Sequence, residues 1–301
     1  MLPSPCIGIC KIDERFGLCR GCARSRTEVA NWAQAPREMI DRVWAELPAR
    51  RAQMGLGMHR LRWSLDELRT FIVNSLRFGG GTWVAGVYGA VAEFCVGDGE
   101  VIALNIRQHS IGAISSRGAI SLRLSDQVRA LAFGASENPA ETGIIVLALL
   151  REHATFVPHF GLTNLGPDVD SIRTSDRDEH LYDLGLGRIA AGFGIRTADP
   201  ILTASLHRCS GLDWTDLFSR IGAEIVQSSP TRVVRHSLGR IEVFTAIPLP
   251  GGQSPPGPHT HLLPRQLSSR VDLPPNLTVP DVYAPCAVHY PENAAMETAG
   301  G

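Results

Sequence analysis

Hydrophobic positions along the chain change period several times, and the changes divide it into segments. Residues 1–26 carry little helical or strand periodicity. After them Val29 and Trp32 share a helical face, with Thr27 placed as N-cap. Behind Pro36, a residue tolerated in a first turn, Met39, Ile40, Val43, Trp44 and Leu47 recur at helical spacing. Two short helices are expected there. The pattern is lost from Pro48 to Arg60, and residues 53–62 read as a linker. Ser64 then opens SLDELRTFIVNSLRF, a helix with Glu67 completing a capping box and Gly79, Gly80 and Gly81 ending it.

Strand-like runs follow: TWVAGVY, AVAEFCV, VIALNI, IGAIS and AISLRLS, separated by turn signals at Gly89, Gly97-Asp98-Gly99 and Ser116-Arg117-Gly118. In the last run Ile120, Leu122 and Leu124 alternate with Ser121, Arg123 and Ser125, the signature of a half-buried antiparallel strand. GIIVLALL fits a strand or a helix, and RIAAGFGIRT a strand. Asp199 and Pro200 begin a helix that ends at Cys209. From Trp214 the order recurs: helix, Pro230, strand TRVVRHS, a turn at Gly239, strand RIEVFTAIP. An internal duplication would produce this, and so would chance in an α+β protein. The last fifty residues are proline-rich, read as largely irregular, and are expected to drape over the core. The fold class is therefore α+β. A small four-cysteine module over 1–52 with two short helices precedes a larger antiparallel-sheet domain over 63–250, on which a C-terminal segment, 251–301, packs.

Composition adds exclusions. The 301 residues are 44% hydrophobic and 20% charged, values of a folded globular chain. A net charge of −1 gives no electrostatic case for nucleic acid or an anionic membrane. The longest apolar run, Ile144 to Leu150, is too short to span a bilayer. No leader segment is visible, so a cytoplasmic location is expected, where clustered cysteines mean metal or redox chemistry more often than disulfides.

Four of the seven cysteines fall in MLPSPCIGICKIDERFGLCRGCARS, as Cys6-x3-Cys10-x8-Cys19-x2-Cys22. Cysteines two or three residues apart can turn both sulfurs to one ion, and Gly8 and Gly21 inside the pairs let backbone amides approach the sulfurs. Lys11, Arg15, Arg20 and Arg24 can offset thiolate charge. Four thiolates suit structural Zn2+ or an iron–sulfur cluster, and a module with so small a core needs such a staple. SPCIGICKID, GLCRGCARSRTEVANWA and ELPARR resemble the bacterial domain of unknown function 1289 family over roughly residues 3–52, with Ser4, Pro5, Cys6, Cys10, Gly17, Leu18, Cys19, Gly21 and Cys22 on its pattern. Members of that family are described as predicted iron–sulfur proteins, so the resemblance implies a metal-binding module. Iron–sulfur cluster and zinc both stay open.

PPGPHTHLLP holds the other concentrated chemistry. On an extended strand His259 and His261 face one side and can grip one metal, or one face of a haem. Cys286 and His289 stand at a spacing that permits them to join such a site. Gly79-Gly80-Gly81 follows a helix and precedes a strand, the reverse of a dinucleotide loop. The acidic run around Asp168, Asp170, Asp176, Asp178, Glu179 and His180 lacks calcium-loop spacing and reads as solvated. Cys95, on one strand face with Val91 and Glu93, and Cys209 read as packing residues. Neither His-Glu-x-x-His nor Gly-x-Ser-x-Gly occurs. The sequence thus favours a metal-binding accessory protein, its cysteine module fused to a domain that binds a small molecule or a protein partner. The competing reading is an enzyme or haem-handling protein with its site at His259 and His261.

Overall fold

The computed structural model describes residues 4–97, 99–134, 143–187, 191–249, 252 and 257–292. Asp98 of the expected Gly97–Gly99 turn, the first residues of RIAAGFGIRT and parts of the 251–301 segment lie outside the described residues. In chain order the elements are α1 (Arg26–Asn31), α2 (Arg37–Met54), β1 (Met58–Arg60), α3 (Leu65–Arg77), β2 (Thr82–Val87), β3 (Ala90–Phe94), β4 (Ala103–Arg107), β5 (Ser110–Ile114), β6 (Gly118–Arg123), β7 (Arg129–Phe133) and β8 (Ile144–Leu150). There follow β9 (Thr163–Pro167), β10 (His180–Asp183), β11 (Ala191–Thr197), α4 (Pro200–Arg208), α5 (Trp214–Ser228), β12 (Thr231–His236), β13 (Gly239–Val243), β14 (His259–Leu262), α6 (Pro264–Ser268) and β15 (Tyr283–Tyr290). The class is α+β, as the patterning implies.

Among the described residues the strands form two antiparallel sheets. Sheet I has seven strands in the order β1-β7-β8-β15-β2-β3-β14, and sheet II eight in the order β4-β5-β6-β13-β12-β11-β10-β9. Their inner faces share one apolar core, which includes Trp83, Phe94, Ile120, Ile145, Phe193 and Ile241 together with Leu68, Ile72 and Leu76 of α3 and Leu217, Ile221 and Ile225 of α5. That is a two-layer sandwich closed by helices.

The recurring order is a matched pair. Ser64 and Asp213 cap α3 and α5 through bonds to the Glu67 and Asp216 amides. From those caps to Phe94 and Val243 the two stretches run in step without insertion or deletion, and Leu68, Ile72, Thr82, Val84 and Glu93 meet Leu217, Ile221, Thr231, Val233 and Glu242. The hairpins share a register too: Val84 lies opposite Glu93 as Val233 lies opposite Glu242. Each hairpin is flanked on its second strand by a strand from the other half of the chain, β14 beside β3 and β6 beside β13.

Several elements depart from the sequence reading: Ser25 rather than Thr27 caps α1, and β7, β9 and β10 form where no strand was expected. Helix α2 continues through Pro48, because its inner stripe of Ile40, Val43, Trp44 and Leu47 extends to Arg51, and Gly55 ends it in the left-handed region at φ +67°. The patternless stretch after it supplies β1 on the edge of sheet I. The C-terminal segment contributes β15 between β8 and β2, in the middle of a sheet rather than draped over it. Both faces of β15 are buried, so it shows no alternation, and a register shift between Pro285 and Ala287 breaks what remains.

One row of cross-strand partners runs across all of sheet I on its outer face: Arg60, Leu131, Val146, Val288, Val84, Glu93 and His259. Its four central aliphatics pack with Ile7 of the N-terminal segment and with Leu277 and Tyr283. At Gly8, with φ +82°, a Cβ would sit 2.6 Å from the Val282 side chain, so the cysteine segment lies flush against the sandwich.

Candidate functional site

Two groups of ligating side chains lie on that outer face. The first is the cysteine segment. Single bridges pair Ile12 with Cys19 and Leu18 with Ser25, and the Arg20 amide donates to the Lys11 carbonyl at 2.8 Å. Cys19 stands on this small hairpin, and the turn from Cys19 to Ala23, whose amide donates to the Cys19 carbonyl at 2.8 Å, carries Cys22; among the described residues no three of the four sulfurs lie within 4.8 Å of one another. Cys6 Sγ and Cys10 Sγ lie 4.0 Å apart. Two sulfurs on one tetrahedral zinc stand about 3.8 Å apart, so this pair fits a shared ion. The Gly8 amide donates to Cys6 Sγ at 3.4 Å, and buried Arg24 donates through Nε to Cys22 Sγ at 3.3 Å while stacking over Trp32. Cys19 Sγ donates to the Ile9 carbonyl at 3.1 Å. Cys6 beside it pushes the Cys10 thiol up, and burial does the same for Cys22. The chemistry of this donor set, four thiols with an arginine and backbone amides against them, fits a metal centre.

The second group is one that sequence order scattered. His259 and His261 lie on β14, two residues apart, and β14 pairs with β3 so that Glu93 stands directly opposite His259. His261 Nε2 lies 3.0 Å from Glu93 Oε1, and His259 Nε2 lies 3.3 Å from Glu93 Oε2. Among the described residues these three are the group whose ligating atoms all fall within 4.8 Å of one another. Glu93 is buried, at 4% exposure, and the two histidines are partly open. His259 Nδ1 is 2.8 Å from the Gly257 carbonyl, which calls for a proton on Nδ1 and leaves Nε2 turned to the carboxylate. Glu93 was readable only as a charged residue in the otherwise apolar AVAEFCV; no local signal ties it to residues so far along the chain.

Cys286 and His289 do not join this group. Cys286 is buried, its Sγ donates to the Ala284 carbonyl at 3.5 Å, and burial pushes its thiol up to about 12. His289 lies with its ring 5.0 Å from those of Phe71 and Trp83, and burial lowers it to about 4. The acidic run is solvated only in part, with Asp170 and Asp178 exposed. Asp168 is buried against Arg240 at 2.5 Å and Arg196 at 3.0 Å; burial alone would raise its carboxyl, and the two arginines outweigh that and hold it low. Asp176 reaches Arg196 at 2.8 Å. No helix among the described residues is long and apolar enough to cross a membrane.

Comparison with known proteins follows the same division. Residues 4–51 match the family described as protein of unknown function DUF1289, as the cysteine pattern implied. There the chain is 69% identical over 29 residues to the uncharacterized protein YdhL of Escherichia coli strain K12, and equally to YdhL of Shigella flexneri. Each match takes in 10% of this chain and 35% of the relative, so the chain covers well under half of these relatives' length. No solved structure matches. Residues 67–301, most of the chain, match the family of unknown function DUF6925, and the chain belongs to that family.

Proposed function

We propose that this chain is a cytoplasmic metal-binding accessory protein, with an iron–sulfur cluster or Zn2+ held by Cys6, Cys10, Cys19 and Cys22. The sandwich domain serves as its binding domain for a small molecule or a protein partner, and nucleic acid and membrane have no part in the reading. The observation that carries it is the Cys6–Cys10 sulfur separation of 4.0 Å, with Cys19 and Cys22 on the hairpin and turn that follow. The match to DUF1289 over the same residues supports it. A metal there staples a module whose own apolar cluster is small: Ala23, Ile40, Val43, Trp44 and Leu47. The test is elemental analysis with a visible spectrum on protein purified anaerobically. Zinc with sulfur ligands, or iron with acid-labile sulfide, is expected in the native chain, and a Cys19→Ser/Cys22→Ser variant should lose that sulfur-bound share of the metal. Native protein lacking both metals would remove the proposal.

A further inference from the structure

The duplicated hairpins place two buried glutamates in equivalent positions, and what surrounds them differs. Glu242, fully buried on β13, has Arg196 Nη1 at 2.9 Å and Arg240 Nε at 2.9 Å, and accepts the Ile172 amide at 3.0 Å. Register shows what stands in those places around Glu93. Arg240 lies two residues before Glu242, where the first unit has Val91 two residues before Glu93. Arg196 pairs with Thr231 as Tyr290 pairs with Thr82, so the second arginine position is taken by a tyrosine. Tyr290 stays neutral, since burial and the Glu93 charge push it up to about 12. The fixed positive charge of one half is thus missing from the other.

Two imidazoles come in from the opposite flank instead. His259 and His261 occupy the β14 positions that Ala119 and Ser121 hold on β6 against β13. Arg117, on a neighbouring turn, is engaged by Glu100 at 2.6 Å. A carboxylate removed from water needs a compensating positive charge at its oxygens. The Gly257 carbonyl holds His259 through Nδ1 and leaves Nε2 facing that carboxylate, which is the orientation that metal-bound histidines take from a carbonyl behind them. Two ligands at about 2.1 Å on one ion are separated by about 3.0–3.4 Å for octahedral to tetrahedral angles, and the two nitrogen–oxygen separations here are 3.0 and 3.3 Å.

We propose that Glu93, His259 and His261 form a metal centre of the sandwich domain, separate from the four cysteines, which holds a first-row divalent transition cation. Two nitrogens and one carboxylate suit Zn2+, Fe2+, Mn2+ or Co2+ rather than calcium or magnesium, which prefer all-oxygen ligands. Three protein ligands from two adjacent strands leave further positions open on the side where both histidines meet solvent, accessible to water or to an anionic ligand.

The test uses the full chain and Co2+ as probe, read by calorimetry and by the visible spectrum, with far-ultraviolet circular dichroism to verify folding. Beside any Co2+ taken up by the cysteines, which sulfur-to-cobalt charge-transfer absorption marks, the native chain is expected to bind one Co2+ in a nitrogen–oxygen environment. That signal should persist in Cys19→Ser/Cys22→Ser, which separates it from the cysteine site, and be lost in Glu93→Gln and in His261→Gln. A native chain that takes up no Co2+ in a nitrogen–oxygen environment would show that protonated imidazoles alone compensate Glu93, and the proposal would fall. It would fall equally if either variant folded and bound Co2+ as tightly as the native chain.

Discussion

Glu93 and Glu242 occur at the same point of a repeated hairpin, yet neutralising them should have different consequences. Replacing Glu242 by glutamine leaves Arg196 and Arg240 facing a neutral amide in the core, and removing one partner of a buried ion pair costs about 3–5 kcal/mol. Glu93→Gln in metal-free protein leaves only imidazoles opposite an amide that can still bond to them, and about 1 kcal/mol is expected. Urea denaturation of the two variants makes the comparison; equal costs would mean that the histidines carry fixed positive charge. At this scale the sequence exposed the cysteines, because metal spacing is local, and exposed His259 and His261 as a pair. Glu93 stayed hidden, since its connection to them exists only through pairing of strands distant in the chain.

At the scale of elements, α3 and α5 bury the same three positions against one core, so each should respond alike to loss of volume. Ile72→Ala and Ile221→Ala are each expected to cost about 2–5 kcal/mol, with the more completely enclosed Ile72 toward the upper end. Ser64→Ala should cost about 1 kcal/mol, because it removes a cap whose hydroxyl accepts the Glu67 amide while Glu67 accepts the Ser64 amide. Thermal melts of the three variants test both statements. The helices were legible because each exposes one side and buries the other, and the hairpins because turn residues bound short apolar runs. β15, buried on both faces and interrupted near Pro285, and β1, three residues long, carry no period for a sequence to display.

For the molecule as a whole, three buried histidines set its response to acid. Burial lowers His59 and His289 to about 4 and His236 to about 3, below the value of about 6.5 expected in the unfolded chain. Folded protein stays neutral at these sites while the unfolded chain takes up protons, so their contribution is complete above about pH 6.5 and is lost as pH falls toward 4. Each can remove up to about 2 kcal/mol by pH 5. Denaturation at pH 7 and pH 5 should show this loss, and His289→Leu should lessen it; a flat profile would contradict the burial of these rings. Glu100, held near 2 chiefly by hydrogen bonds from Arg117, adds an acid loss of its own only below about pH 4.5.

The row across sheet I carries a further consequence. Leu131, Val146, Val288 and Val84 are sealed in part by Ile7, which lies next to Cys6 in the chain. Ejecting metal from the cysteines would therefore loosen the cover of an aliphatic stripe, and the apo chain should become adhesive toward other copies of itself. Light scattering that rises with protein concentration after chelation, and falls again when metal is restored, is the expected behaviour. The cysteine segment would then act as a guard on the solubility of the whole sandwich.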